Sequence, residues 1–269
     1  MDSSQKRNLL ITGANRGIGY GIVEKLISDP TPYNIIFTSR DETTGQKALE
    51  TLKAKHPKST STLAYHQLDV NDETGIENLA VWFEKTFGKL DVLVNNAGIK
   101  SGNNTVPEKK LCVQTNYFSV LKIIERFLPL LSDDAKVVNI SSIRGQLSGQ
   151  HEALSKILND DKLTEKQLNE AAENIVEITG GPNSSSGTYG ASKALLNAYV
   201  RRFLPGKMKE GQQVYAVHPG WVKTDMGGSA APLTIEESAN DIVALINLPF
   251  VKDEKLNAKL IDQMKVISW

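Results

Sequence analysis

The sequence predicts an α/β protein built on a doubly wound parallel sheet in three layers, α/β/α. Three observations lead there. Short apolar runs alternate with helix-length amphipathic segments from Asn8 to Ile140. The first of these, Asn8 to Thr12, is a short apolar run that breaks at a glycine, as a buried parallel strand would. A glycine-rich turn joins the first run to the first helical segment, Gly13-Ala14-Asn15-Arg16-Gly17-Ile18-Gly19.

Taken in order, Asn8 to Thr12 is the first strand, broken at Gly13. Ile18, Ile22, Val23, Leu26 and Ile27 then recur at helical spacing until Asp29-Pro30-Thr31-Pro32 stops the helix. Asn34 to Ser39 is a second strand and Asp41 to Lys55 a polar helix. Thr62 to Leu68 is a third strand ending at Asp69, followed by a helix from Asp72 to Phe87. Asp91 to Val94 is a fourth strand, running into Asn95-Asn96-Ala97-Gly98. One long helix is expected from about Glu108 to Leu131, and a fifth strand from Lys136 to Ile140.

The rhythm breaks there, and residues of about 143–187 read as a helical insertion ahead of the next core helix. Thr164-Glu165-Lys166-Gln167 is a capping box, and Leu168, Ala171, Ile175 and Ile178 form an apolar stripe that needs a surface to cover. Tyr189 to Leu204 is a helix, and Gln213 to Val217 a sixth strand. A glycine-rich loop follows from Pro219 to Pro232. Thr234 caps a helix reaching about Leu248, and a last short strand is expected near Lys259 to Ile261. With no repeat, low-complexity tract or linker, 1–269 reads as a single domain.

Bulk properties exclude several function classes. Lys plus Arg and Asp plus Glu each number 31, so the formal charge is zero, and no basic surface for nucleic acid or an anionic membrane is expected. Cys112 is the only cysteine, which fits a reducing compartment. No apolar run approaches the roughly 20 residues of a membrane span. Met1 to Arg7 is polar, without a signal-peptide core, so a cytoplasmic protein is the expectation. His56, His66, His151 and His218 are scattered and show no metal-ligand spacing, so no metal site is expected.

Two constellations carry chemistry. Tyr189 and Lys193, four apart on a helix, share a face, and an ammonium beside a phenol lowers a pKa that is otherwise about 10. Such a phenol can pass a proton near neutral pH. The alternative for the pair is a solvated helix face. The second constellation is the glycine turn. A strand–turn–helix of this kind aims backbone N–H groups and the positive helix end at a pyrophosphate. Its spacing is G-x-x-x-G-x-G. An acid at the end of the second strand would hold the ribose 2′-hydroxyl of NAD, and an arginine the 2′-phosphate of NADP. Here Arg40 stands at that end, with Arg16 in the turn as a second cation, while Asp41 has the place of a helix N-cap. The pattern points to NADP.

With these motifs in view, the sequence resembles the short-chain dehydrogenase/reductases, a Rossmann-like family, over essentially its whole length. The family's T-G-x-x-x-G-x-G stands as Thr12 to Gly19, its N-N-A-G as Asn95 to Gly98, and its Y-x-x-x-K as Tyr189 to Lys193. Its serine falls at Ser142, its helix asparagine at Asn116, and its P-G-x-V-x-T at Pro219 to Thr224. Within the family the look is nearest to the monomeric NADPH-dependent carbonyl reductases, through Pro219-Gly220-Trp221-Val222-Lys223-Thr224-Asp225-Met226 and the long insertion. His218 stands where some of those reductases carry a cysteine.

The resemblance implies reduction of a ketone, aldehyde or quinone by hydride from NADPH, with Asn116, Ser142, Tyr189 and Lys193 as the catalytic group. Tyr189 would donate the proton. Lys193 would tune it and bond the nicotinamide ribose, Ser142 would polarise the carbonyl, and Asn116 would hold a water leading to solvent. The implied cofactor contacts are Gly13, Asn15, Arg16, Gly17, Ile18, Gly19, Arg40, Asp69, Val70, Asn95, Ala97, Gly98, Tyr189, Lys193, Pro219, Gly220, Val222 and Thr224. Asp69 and Val70 would meet the adenine, and Thr224 the carboxamide. Asn95 has a second reading as a residue tying strands together, and His218 reads as structural. The substrate would meet Ser142, Tyr189 and Trp221, the last as an aromatic wall for a flat apolar carbonyl. The insertion would leave the chain a monomer. Two other readings share the motifs: an NADP-linked dehydrogenase of a secondary alcohol, steroid or terpenoid-like, and a non-catalytic NADP-binding sensor.

Overall fold

A computed structural model of the chain describes residues 6–102, 105–181 and 187–269. The N-terminal stretch 1–5 and residues 182–186 of the expected insertion lie outside the described residues. The first half alternates as its pattern predicts: β1 (Arg7–Ile11), α1 (Gly17–Ser28), β2 (Tyr33–Ser39), α2 (Glu42–Lys55), β3 (Thr62–Gln67), α3 (Glu73–Phe87) and β4 (Leu90–Asn95). Asp41 is the N-cap of α2, its carboxylate accepting the Thr44 N–H at 2.8 Å.

The expected long helix is broken. It becomes α4 (Val106–Val113), a π-helical turn (Gln114–Phe118), α5 (Ser119–Phe127) and a 3₁₀ turn (Leu128–Leu130). Pro129, with no N–H to donate, stands in that last turn, and β5 (Leu131–Ile140) starts directly after it, earlier than expected. The π turn is where buried polar side chains draw the helix outward to partners on neighbouring segments, as described below.

The insertion supplies α6 (Glu152–Leu158), α7 (Glu165–Glu173) and α8 (Ile175–Ile178) ahead of α9 (Thr188–Arg202). Both halves of the Thr164–Gln167 capping box are formed. Leu154, Leu158, Leu168, Ala171 and Ile175 are buried in one apolar cluster with Leu195, Leu196 and Tyr199 of α9, so the stripe does cover a surface. Polar bonds fix it further: the Tyr117 hydroxyl donates to Asn169 at 2.8 Å, and Lys207 pairs with Glu165 at 2.6 Å.

After α9 come β6 (Gln213–His218), α10 (Ile235–Ile246), β7 (Leu260–Asp262) and β8 (Lys265–Ile267). α10 ends two residues before the expected Leu248. β8 was not legible in the sequence. It pairs antiparallel with β7 through Gln263 and Met264, both at positive φ (46° and 61°), a turn normally marked by Gly or Asn.

The eight strands run β3-β2-β1-β4-β5-β6-β7-β8, parallel except at the β7–β8 edge. Helices α1, α2 and α10 pack on one face, and α3, α5, α9 and the insertion on the other, each face with its own apolar cluster. Successive residues serve opposite faces, as with Leu9 and Leu10, or Val137 and Val138. The order of strand addition reverses between β1 and β4, and in such sheets ligands bind beyond the carboxyl ends of the strands at that switch point. No helix among the described residues is long and apolar enough to cross a membrane.

Candidate active site

Every residue singled out in the glycine turn, at Arg40, Asp69–Val70, Asn95–Gly98, Ser142 and Pro219–Thr224 lies just past the C-terminal end of β1, β2, β3, β4, β5 or β6, or at that end. The strand order therefore gathers them along one edge. Tyr189 and Lys193 reach it from the first two turns of α9.

The cradle is built from backbone approach. Gly13 and Gly17 hold φ of 65° and 61°, which only glycine adopts without strain. A Cβ on Gly13 would lie 2.9 Å from Ala97 Cα, and one on Gly19 would lie 2.5 Å from Asn96 Nδ2. Thr12 Oγ1 accepts the N–H groups of Asn96 and Ala97, both at 3.1 Å, and Asn96 Nδ2 donates to the carbonyls of Thr12 and Gly13. The N-cap residue Arg16 makes no side-chain cap and no acid lies in the first turn of α1, so its own first turn leaves the positive end beside Gly17, Ile18 and Gly19 without an anionic partner. A site for a pyrophosphate has this form.

Around that turn, Asn15 Nδ2 donates to Thr44 Oγ1 at 3.0 Å. Arg40 is exposed, its carbonyl held by Gln67. Arg16, also exposed, pairs with Asp225 across the mouth of the cleft. The guanidinium of Arg16 is therefore engaged by the Pro219–Pro232 loop and does not stand as a second unpaired cation beside Arg40. Thr224 faces the turn: a Cβ on Gly17 would lie 3.7 Å from its methyl group. Val222 is buried and bridges Leu233, which pins the base of the loop, while Pro219 is held by the Ser238 hydroxyl. Gly220 holds a positive φ of 83°.

Asn95 is buried, and its Nδ2 donates to Asn139 Oδ1 at 2.9 Å, tying β4 to β5. This bond makes the strand tie of one of its readings, while its buried Oδ1 has no hydrogen-bond partner among the described residues. Thr12, Asn96 and Asn139 complete the tie and were not singled out from the sequence. Their only sequence signal is their place beside the glycines and asparagines of the two motifs.

At the reactive end, Ser142 is buried and accepts the Arg144 N–H at 3.1 Å. Its hydroxyl is close enough to the Tyr189 phenol to favour the ionised form of that ring. Lys193, 4% exposed, donates to the Ile140 carbonyl at 2.7 Å, with its Nζ 5.8 Å from the centre of the Tyr189 ring. Gly98 separates the lysine from Asn116: a Cβ there would lie 3.1 Å from Asn116 Oδ1 and 3.7 Å from Lys193 Nζ. Asn116, in the π turn and fully buried, accepts the Ile99 N–H at 2.8 Å. It donates to the Ile99 carbonyl at 2.8 Å and to Ser192 Oγ at 3.0 Å. Ser192 in turn donates to the Tyr189 carbonyl at 2.8 Å.

The electrostatics correct one expectation. Burial pushes the Tyr189 phenol up from its ordinary value; Ser142 and Arg144 pull it back, and Lys193 is not among the groups that move it. Burial also lowers Lys193, to about 8. Without a cofactor the phenol is therefore held protonated, and the ammonium is spent on a carbonyl. Trp221 is 55% exposed, its Nε1 bonded to the Gly227 carbonyl, so it is a surface ring and not core. His218 is partly buried and its pKa is lowered by that burial.

The chain is similar to known proteins over most of its length. Residues 7–154 match the family model described as short chain dehydrogenase. The chain is 38% identical to a (+)-neomenthol dehydrogenase of Arabidopsis thaliana, over 93% of this chain and 94% of the other. It is 34% identical to carbonyl reductase [NADPH] 3 of Mus musculus, over 92% and 93%. The solved salutaridine reductase of Papaver somniferum superposes with a TM-score of 0.82 at 31% identity, over 95% of this chain and 99% of that one. On fold, motif order and these likenesses together, the chain belongs to the short-chain dehydrogenase/reductase family.

Proposed function

We propose that this protein is an NADPH-dependent carbonyl reductase, converting a ketone, aldehyde or quinone to an alcohol. The observation that carries the reading is the meeting of Ser142, Tyr189, Lys193 and Asn116 beside the uncapped glycine turn of α1. The likeness to the mouse carbonyl reductase [NADPH] 3 supports the cofactor. In this reading Gly13, Asn15, Gly17, Ile18 and Gly19 would hold the pyrophosphate, and Arg40 would hold the 2′-phosphate. Arg16 joins it once released from Asp225. Asp69 and Val70 flank the adenine. Asn95, Ala97, Gly98, Pro219, Gly220, Val222 and Thr224 line the rest of the cleft.

When bound, the nicotinamide supplies the hydride. The chain's own residues handle position and charge. Ser142 donates to the substrate oxygen and so favours the negative charge that develops there. Tyr189 delivers the proton from its phenol, which burial keeps protonated at neutral pH. Lys193, the only ammonium of the group, offsets the charge left on the phenolate, and Asn116 orders the path by which the proton is replaced. Trp221 offers an exposed aromatic wall to an apolar carbonyl.

The 38% likeness to a neomenthol dehydrogenase favours a second reading, the same residues working toward oxidation of a secondary alcohol. A single catalytic domain acting as a monomer in the cytoplasm completes the proposal, supported by the burial of the insertion against α9. The test is a panel of carbonyls, quinones and secondary alcohols with NADP(H) and NAD(H), followed at the absorbance of the reduced nicotinamide. Turnover with NADPH and a carbonyl is expected. Turnover only from alcohols favours the second reading, and none with any pair removes both.

A further inference from the structure

We propose that Asn71 is a positioning residue that ties the adenosine end of the cofactor cleft to the π turn carrying Asn116; this rests on the cleft assigned above. Asn71 follows Asp69 and Val70 in the loop after β3, and its backbone N–H donates to the Asp69 carboxylate at 3.0 Å. Its side chain turns the other way, into the α4–α5 segment. Asn71 Nδ2 donates to Thr115 Oγ1 at 3.1 Å, while Asn71 Oδ1 accepts from Thr115 Oγ1 at 3.2 Å and from Ser119 Oγ at 2.9 Å. Thr115 and Ser119 are 4% and 1% exposed. Buried hydroxyls of this kind are satisfied in folded proteins, and this one amide serves both.

A π turn carries one residue more than the helix around it needs, so it persists only where outside partners hold it. Here it is held from two sides. Asn71 grips Thr115 and Ser119, and the next residue, Asn116, grips both backbone groups of Ile99 and the Ser192 hydroxyl. Hydrogen bonds, with the Thr115–Asn116 peptide bond between them, thus join the Asp69 carboxylate to the N-terminal part of α9, through Asn71, Thr115, Asn116 and Ser192. Releasing the Asn71 side lets the turn relax toward regular helix. The Asn116 amide then moves away from Gly98 and Lys193, although no contact to substrate or nicotinamide has been cut.

The test uses Asn71→Ala, Thr115→Val and the double variant of the full chain. With cofactor absent, amide hydrogen exchange at Ile99, whose N–H rests on Asn116, speeds up in Asn71→Ala while that of Val94 in β4 keeps its protection. At saturating NADPH, kcat falls on the order of tenfold, as small misplacements of catalytic groups do, while the NADPH Kd changes less than about threefold. In the double variant the losses do not multiply, because both changes break one link. Unchanged exchange at Ile99 overturns the proposal. So does a weakened NADPH Kd with kcat intact, which would make Asn71 an adenosine contact only, or losses that multiply. If the wild-type chain reduces no carbonyl, the functional reading falls, and the exchange at Ile99 in the cofactor-free chain still decides the tie.

Discussion

Lys193→Met is expected to abolish reduction while leaving the cofactor-free protein as stable as the wild type, or more so, at neutral pH. The side chain is 4% exposed, and its one hydrogen bond described is to the Ile140 carbonyl at 2.7 Å. Burial holds its pKa at about 8 against an ordinary 10.5. Each unit is about 1.4 kcal/mol, so keeping this ammonium charged in the fold costs on the order of 3 kcal/mol. Below pH 8 both folded and unfolded chains carry the proton and the cost is fully present. Between pH 8 and 10.5 the unfolded chain binds more protons at this site, so its contribution makes stability rise with pH and vanishes above. Methionine removes the cost but orphans the Ile140 carbonyl, a loss of about 1–3 kcal/mol. The net change at pH 7 therefore lies between zero and about 2 kcal/mol in favour of the variant. Urea unfolding from pH 6.5 to 10 measures it. The wild-type stability minus the variant's should rise, from zero or negative toward positive values, as pH passes through 8 to 10. A difference that does not vary with pH would refute the desolvated ammonium.

Three further outcomes follow from the same coordinates. Arg40→Glu should lower the preference for NADPH over NADH by about 10- to 100-fold, the worth of a hydrogen bond to a charged group; kcat/KM for both cofactors reads it. Gly19→Ala forces a Cβ to 2.5 Å from Asn96 Nδ2, and should cost about 1–3 kcal/mol of stability in urea together with NADPH affinity. Leu168→Ala, in a fully buried side chain of the insertion, should cost about 2–5 kcal/mol, while sedimentation of the wild type reports the mass of one chain.

The parts of the fold legible in the sequence are those with local causes. Asp41, Thr164 and Thr234 announce helix starts because a cap is satisfied within three residues, and all three caps form. The glycine turn is legible because positive φ and close approach admit only glycine. The site residues gather because strand ends in a parallel sheet share one edge. What escaped depends on partners distant in sequence. The π turn answers to Asn71, Ile99 and Ser192, and no pattern within Gln114–Phe118 displays them. The pairing of Arg16 with Asp225 likewise depends on a residue far along the chain. The Tyr189–Lys193 spacing predicts a lowered phenol pKa, but spacing carries no information on burial, which sends it upward. The β7–β8 hairpin hides because Gln263 and Met264 adopt positive φ without a turn residue's signature.

The central claim is that the Tyr189 phenol delivers the proton to the substrate oxygen. It is tested most directly by comparing NADPH binding with the rate of carbonyl reduction in Tyr189→Phe. NADPH should still bind, because the glycine turn is untouched, and the rate should fall by roughly 10²–10⁴-fold, as loss of a general acid does. A variant that binds NADPH and reduces the carbonyl at the wild-type rate would contradict the account.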